Sequence, residues 1–187
     1  MRKTNGFTLI ELLIVISILG VLSTVVLVAV NPAKRSGQAR DAQRKMALNQ
    51  VSKALETYYI DHSQYPSTVG DPFNEWYGYC EAYGSKDTSG ANGWVPDLAP
   101  DYIKTLPLDP KRNENRNSQM KNEGANTTLA YTFCYIYKSD GQDYKIAAHC
   151  GAESEPANAG DKFYKGHDGW SCGNWHYAIW TKGAQLW

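Results

Sequence analysis

The chain has four cysteines whose positions could support disulfide bonds or metal binding: Cys80, Cys134, Cys150 and Cys172. An even number of cysteines is typical of disulfide-bonded domains in oxidising compartments, and four cysteines permit three pairings. A hairpin turn centred on Asp140 and Gly141 would place Cys134 opposite position 147 and away from Cys150. This argues against a Cys134–Cys150 disulfide, but the sequence alone does not choose between the other two pairings. We predict two disulfides and choose Cys80–Cys134 with Cys150–Cys172.

A zinc site is the alternative use of the same part of the chain. His149 precedes Cys150 directly, and His176 follows Cys172 by four positions, so soft ligands are available. Structural zinc sites usually take pairs of cysteines at Cys-x-x-Cys spacing, and this sequence has no such pair. We favour disulfides and predict no bound metal and no cofactor.

The remaining candidate groups offer little chemistry. Asp140 and Asp143 are an alternative calcium pair, but a solvated turn is the preferred interpretation of their spacing. The histidines have no Ser or Cys nucleophile motif around them, and no pair of catalytic carboxylates is identifiable. We predict that the chain has no catalytic residue and is not an enzyme.

One acid interrupts a long apolar segment. Residues 7–30 contain a single ionisable side chain, Glu11. The segment is long enough to cross a membrane, for which about 20 apolar residues suffice, and too long for a signal peptide, whose apolar region has about 7–15. A carboxylate in lipid costs on the order of 2–3 kcal/mol or more, so Glu11 needs a partner.

Charge excludes one class of function. Lys+Arg and Asp+Glu both number 19, so the chain is neutral and has no general attraction to nucleic acid. Basic residues nevertheless cluster directly after the apolar segment, where they suit lipid head groups. These residues are Lys34, Arg35, Arg40, Arg44 and Lys45.

The pattern of elements predicts an α+β fold, with a long N-terminal helix packed on a small antiparallel β-sheet that has long loops. Pro32 should end or kink the first helix, and residues 33–61 read as a second, amphipathic one. Its predicted buried stripe comprises Ala39, Ala42, Met46, Ala47, Val51, Ala54, Leu55 and Tyr58. Strands are predicted at 129–137, 144–149 and 177–180, and residues 67–93 as loop.

The stretch Gly6-Phe7-Thr8-Leu9-Ile10-Glu11, with a basic stub before it, resembles the leader-and-anchor signature of type IV prepilins and of the pseudopilins of type II secretion. The resemblance implies that a prepilin peptidase cuts between Gly6 and Phe7 and that Phe7 is then N-methylated. It also implies that Glu11 pairs with the new N-terminal amine of a neighbouring subunit.

This resemblance divides the chain into a leader (residues 1–6), a transmembrane assembly helix (7–30), an amphipathic stalk helix (31–65) and an exported globular domain (66–187). It implies a single-pass protein of the inner membrane with a cytoplasmic N-terminus, which becomes an extracellular or periplasmic fibre. The positive-inside rule predicts the opposite orientation, because the basic cluster after the segment outnumbers Arg2 and Lys3.

The second half of the chain is similar to the major pseudopilin and related pilins, through Tyr65-Pro66, residues 102–110 and the hairpin ending at residues 141–146. Such pseudopilins usually bind calcium in a C-terminal loop. The matching stretch here, residues 140–143, lacks the Gly-rich continuation.

Together these resemblances imply a structural subunit of a type IV pilus or pilus-like fibre. The subunit would polymerise with copies of itself and with minor pilins, after contact with prepilin peptidase and an inner-membrane assembly platform. The alternatives are a type II secretion major pseudopilin and a membrane-tethered binding module, such as an adhesin, on a pilin anchor.

Overall fold

The structure, a computed structural model, describes residues 6–70, 75–80, 83–112, 114, 132–154, 162–164 and 176–187. For residues 25–30 it describes the backbone and not the side chains. The chain divides into two compact units, Met1–Gly37 and Gln38–Trp187.

Two helices follow each other at the N-terminal end. Helix α1, Leu9–Val30, ends at Asn31, whose φ of 41° is a left-handed conformation that Asn tolerates. Helix α2, Pro32–His62, starts at the next residue, where Pro fits because the first N–H groups of a helix have no intrahelical partner. The Lys34 N–H donates to Asn31 Oδ1 at 3.2 Å, so Asn31 serves both helix ends. The predicted break at Asn31–Pro32 is confirmed.

Four antiparallel strands form one sheet in the order β1-β2-β3-β4. They are Tyr77–Gly78 (β1), Cys134–Ser139 (β2), Tyr144–His149 (β3) and Tyr177–Trp180 (β4). The predicted bounds of β3 and β4 are confirmed. β2 starts and ends later than its predicted strand, part of which lies outside the described residues. β1 falls in a stretch predicted as loop, because two residues are too few to give a periodic signal.

The predicted register of the β2–β3 hairpin was wrong by two residues. Ser139 pairs with Tyr144 and Cys134 with His149, so the connection has four residues, 140–143. The Asp140 carboxylate explains this length, since its Oδ1 accepts hydrogen bonds from the Gln142 and Asp143 N–H groups and holds a wider turn.

Both faces of the sheet are covered, and side chains alternate between them as a pleated strand requires. Tyr135, Tyr137 and Ile146 point toward α2 and share a core with Leu48 and Leu55. The intervening residues face the other way into a second core, with partly buried tryptophans at its edge. This second core contains Trp76, Cys80, Cys134, Ile136, Ala147 and Ala178, packed against Tyr83, Trp180 and Trp187.

The buried face of α2 differs from the predicted stripe at its start. Met46 is 63% exposed, and Ala39 and Ala42 are exposed as well. Asp41 and Arg44 are buried in their place, two turns and one turn before Leu48, respectively. The later part of the stripe, with Val51, Ala54 and Leu55, is confirmed.

Candidate functional site

The first turn of α1 is closed by a side-chain cap. Thr8 Oγ1 accepts a hydrogen bond from the Glu11 N–H at 3.3 Å. In return the Glu11 carboxylate accepts bonds from the Thr8 N–H and the Thr8 hydroxyl, both at 2.8 Å. The Thr-x-x-Glu spacing is the capping-box pattern, and it satisfies orphan groups at the helix start. Glu11 is thus held within its own chain, next to the predicted cleavage point.

The described side chains of α1 leave large apolar surfaces uncovered on all sides of the helix. Exposed fractions of its large apolar residues from Leu9 to Leu22 run from 47% at Val15 to 82% at Leu9, and Phe7 is 86% exposed. A helix that is apolar all round is normally buried in a large core or in a membrane. Among the residues that the structure describes, however, no helix meets the length and hydropathy of a membrane span.

Gly6 has no packing role in this chain. A Cβ built on it would meet no atom within 4 Å. Nothing in the described fold therefore requires glycine at this position.

A buried ion cluster, comprising Arg40, Asp41, Arg44, Asp109 and Glu153, ties α2 to two loops. Arg44 is fully buried and forms a fork to Asp109, with Nε–Oδ2 at 2.7 Å and Nη2–Oδ1 at 2.9 Å. Its Nη1 also donates to Glu153 Oε1 at 2.6 Å and to Asp41 Oδ1 at 3.1 Å. Burial opposes a charged guanidinium, but these carboxylates outweigh it and raise the pKa of Arg44.

Glu153 is the second centre of the ion cluster. Burial opposes its ionisation, but hydrogen bonds from Arg40 and Arg44, with their charges, lower the pKa of Glu153 to about 2. Asp41 fixes the same loop through the backbone, since it accepts from the N–H groups of Glu153 and Ser154 at 2.8–3.1 Å. The expectation that the basic residues lie at lipid head groups is wrong for Arg44, which is 0% exposed.

The sequence held a signal for this cluster. Arg44, Leu48, Val51 and Leu55 recur at the spacing of one helix face, so Arg44 continues the buried stripe toward the N-terminus. Charged residues are almost never fully buried unless paired, and for this reason Arg44 was expected at lipid head groups with the other basic residues. Its partners, Asp109 and Glu153, are 65 and 109 positions away along the chain and give no local sign.

The cysteines follow the predicted pairing where the structure describes them. Cys80 and Cys134 form a disulfide with a Cα–Cα distance of 6.1 Å. β1 pairs Gly78 with Ile136, and continuing that register by two residues brings Cys80 opposite Cys134. Cys150 is also disulfide-bonded. Its predicted partner, Cys172, lies outside the described residues, so that pairing stays a prediction.

Two buried histidines lie beside Cys150. His149 Nδ1 is 3.5 Å from Cys150 Sγ, and the Cys150 N–H donates to His176 Nδ1 at 3.1 Å. Burial lowers the pKa of His149 to about 4, partly offset by its bond to the Thr132 carbonyl. Both imidazoles are almost completely inaccessible to solvent.

The alternative calcium pair has backbone partners. Asp140 closes the hairpin loop as described, and Asp143 Oδ1 accepts from the Gly183 N–H at 3.0 Å. In the part of the chain that the structure describes, the two carboxylates are not part of a cluster of three or more metal-ligating side chains. Calcium binding by Asp140 and Asp143 stays untested.

Comparisons with known proteins show which families this chain resembles. Residues 1–27 match the family model described as prokaryotic N-terminal methylation motif. The chain is 34% identical over 114 residues to type II secretion system core protein G of Pseudomonas aeruginosa, covering 60% of this chain and 71% of the relative. It is 33% identical over 116 residues to core protein G of Vibrio cholerae, covering 61% and 70%.

A pilus protein matches a shorter part. The type IV wide pilus major component PilA4 of Thermus thermophilus is 42% identical over 67 residues, which cover 36% of this chain and 50% of the relative. No solved structure matches the chain. The methylation motif, the α+β fold and the extent of these similarities lead to one conclusion: the chain belongs to the family of type IV pilins and type II secretion pseudopilins, as a structural subunit of a pilus-like fibre.

Proposed function

We propose that this chain is the precursor of a fibre subunit that prepilin peptidase cuts between Gly6 and Phe7 and methylates at Phe7. The matched methylation motif supports this proposal. So does the space around Gly6, because the fold gives no other reason for a glycine there. A residue without a Cβ lets an enzyme approach the backbone closely.

The observation that carries the proposal is the uncovered apolar surface of α1. Moving a Leu or Ile side chain out of water gains about 1.5–3 kcal/mol on full burial, so this helix is strongly driven into lipid or between copies of itself. Residues 7–30 are then the membrane segment before assembly and the fibre core afterwards. Residues 31–65 form the stalk, and residues 66–187 the exported domain.

The ion cluster reduces the conflict between a cytoplasmic N-terminus and the positive-inside rule. Arg40 and Arg44 are paired with carboxylates of the same domain, so they serve the fold of that domain. Lys34, Arg35 and Lys45 still outnumber Arg2 and Lys3, so the proposed orientation rests on the matched methylation motif. In this orientation the subunit lies in the inner membrane before assembly. After assembly it is part of an extracellular or periplasmic fibre.

Glu11 is the residue that couples processing to assembly in this proposal. Its carboxylate is satisfied by Thr8 while the subunit is alone. Cleavage creates a positively charged amine at Phe7, and a neighbour's amine is a stronger partner than the neutral Thr8 donors because two opposite charges attract each other strongly in a low-dielectric core. The fibre is a homo-oligomer with minor pilins, built by an assembly platform, and the subunit itself has no catalytic role.

A role as the major pseudopilin of type II secretion is the second candidate. The similarity to core protein G extends over 60% of the chain and past the first helix, whereas the similarity to PilA4 covers 36%. Deletion of the gene tests the choice between them. Loss of protein export with surface pili intact supports the secretion role, and loss of pili with export intact supports the pilus role.

Replacement of Glu11 tests the proposed assembly step. Glu11→Val and Glu11→Gln should insert and be cleaved at wild-type levels but give no sheared fibres, because the neighbour's amine is left unpaired in a low-dielectric core. Ser17→Ala is the matched control, since it removes a polar group from the same helix whose hydroxyl donates only to Leu13 O at 2.8 Å. Normal fibres from the Val variant would overturn the role of Glu11.

A further inference from the structure

The end of β3 and the start of β4 bring together a compact group of metal-ligating atoms, the His149–Cys150–His176 cluster. One donor atom from each residue lies within 4.8 Å of the other two, and all three residues are buried. Cys150 Sγ is 3.5 Å from His149 Nδ1 and 3.9 Å from Nε2, and the two imidazole centroids are 5.0 Å apart. Ligand atoms around a tetrahedral Zn²⁺ lie about 3.3–3.6 Å apart, given the usual Zn–N and Zn–S bond lengths. Small side-chain shifts would meet that geometry.

A hydrogen bond to the backbone orients the His149 imidazole for this use. His149 Nδ1 lies 3.2 Å from the Thr132 carbonyl oxygen, so Nδ1 carries the proton and the lone pair is on Nε2. A backbone carbonyl on the second ring nitrogen is the usual outer partner of a metal-ligating histidine. His176 Nδ1 accepts a hydrogen bond from the Cys150 N–H at 3.1 Å, so its lone pair points at Cys150, and zinc has to displace this N–H to bind there.

The oxidised chain lacks the third ligand, because a disulfide sulfur has no thiolate charge and Cys150 is disulfide-bonded. We propose that reduction of this disulfide converts the His149–Cys150–His176 cluster into a Zn²⁺ site. A dithiol supplies two electrons and two protons, becomes a disulfide itself, and leaves two thiols on the chain. Zinc then displaces the Cys150 thiol proton to solvent, and water completes the coordination.

Zinc is the ion that fits this donor set, since two imidazoles and one thiolate are borderline-to-soft ligands. Metal binding and disulfide formation exclude each other at Cys150, because both need the same sulfur. A zinc-loaded chain therefore resists closure of this disulfide, whereas the Cys80–Cys134 disulfide shares no sulfur atom with the site and stays closed when the metal binds.

The variant Cys172→Ser tests the site without a reductant. It removes the predicted disulfide partner of Cys150 and keeps the Cys80–Cys134 disulfide. The full chain of this variant, metal-free and in detergent, is titrated with Co²⁺ as a spectroscopic substitute for Zn²⁺. We expect one Co²⁺ per chain with thiolate-to-cobalt charge-transfer absorption, and loss of that absorption on adding Zn²⁺. The oxidised wild-type chain should show none.

The double variant C150S/C172S is the matched control, because it keeps both histidines and removes only the thiolate. It should lose the charge-transfer band and bind Co²⁺ far more weakly, and His149→Gln in the Cys172→Ser background should weaken binding while keeping the band. Equal Co²⁺ affinity of C150S/C172S and C172S would overturn the proposal, as would absence of binding to a C172S chain with a wild-type circular dichroism spectrum.

If C172S does not fold, the wild-type chain gives a second measurement. It is reduced with a dithiol, freed of it by gel filtration, and alkylated with iodoacetamide with and without Zn²⁺. Zinc should slow alkylation of Cys150, measured by peptide mass spectrometry, relative to that of Cys80. Equal rates at Cys150 with and without zinc would overturn the proposal.

Discussion

Helices α1 and α2 treat their charged residues in opposite ways. In α1, Glu11 is bonded, among the described residues, to Thr8 of its own first turn, and the apolar side chains around it are exposed. In α2, Asp41 and Arg44 are buried and bonded to distant loops. The contrast separates two roles: the apolar side chains of α1 are uncovered by the described residues and favour contacts with another molecule, whereas the buried charges of α2 stabilise its own domain.

The largest expected effect is on processing. Gly6→Val should abolish cleavage and fibre formation without changing the fold, since a Cβ at Gly6 meets nothing within 4 Å. Intact-mass measurement of the membrane-extracted chain checks this, because wild type should lack residues 1–6 and carry a methyl group on Phe7. Gly20→Val is the matched control, as a Cβ there also meets nothing within 4 Å, and it should be cleaved normally. A cleaved Gly6→Val chain would contradict the prediction.

The ion cluster should give the largest effect on stability. Arg44→Met leaves Asp109 buried without its arginine and removes one of the two arginines that bind Glu153, which should lower the free energy of unfolding by about 3–5 kcal/mol. Denaturant unfolding followed by tryptophan fluorescence measures this. Lys53→Met, at an exposed position of the same helix, should change stability by less than about 0.5 kcal/mol.

A double variant sharpens this prediction. Arg44→Met with Asp109→Leu should recover part of the loss, because replacing a buried ion pair by apolar groups is often nearly neutral. Equal stability of Arg44→Met and wild type would show that the cluster does not stabilise the domain.

The next effect concerns the sheet. Cys80→Ser with Cys134→Ser removes a crosslink between residues 54 positions apart, and should cost about 2–4 kcal/mol by releasing the unfolded chain. A reductant has no bond to break between positions 80 and 134 of this variant, so its effect on the free energy of unfolding should be smaller than in wild type. Cleavage between Gly6 and Phe7 should be unchanged, since the effect belongs to the globular domain. A variant that unfolds at the wild-type denaturant concentration would contradict this.

The smallest effect is a pH dependence. The pKa of Glu153 falls from 4.5 to about 2 on folding, so its contribution to stability is present above pH 4.5 and is lost as the pH falls toward 2. Glu153→Gln should lower stability at pH 7 and flatten its dependence on pH between about 5 and 2. Asp101→Asn, at an exposed position, is the control and should keep the wild-type slope. If the dependence of stability on pH has the same slope in Glu153→Gln as in wild type, Glu153 does not contribute to the loss of stability in acid.

Local patterns were enough to predict the helices, two strands and one disulfide. A proline fits the first turn of a helix but not its interior, so α1 ends before Pro32 and α2 begins at Pro32. The Cys80–Cys134 pair was chosen correctly, although the hairpin register used in the argument was wrong. The Asp140 carboxylate accepts hydrogen bonds within its own turn, and the loop is two residues longer than predicted. From the sequence alone, an aspartate with such bonds cannot be distinguished from a solvated one.

The sequence by itself determined the apolar helix, its single acid and the processing motif, because all three are contained in one continuous stretch and need no tertiary contact. Tertiary structure alone decided that Arg44 is buried, that the second face of the sheet is covered, and that His149 and His176 meet at Cys150. A charged side chain can be buried only where an oppositely charged partner lies close to it in space. When that partner is far along the chain, the fold decides whether the two meet, and the local sequence pattern does not show it.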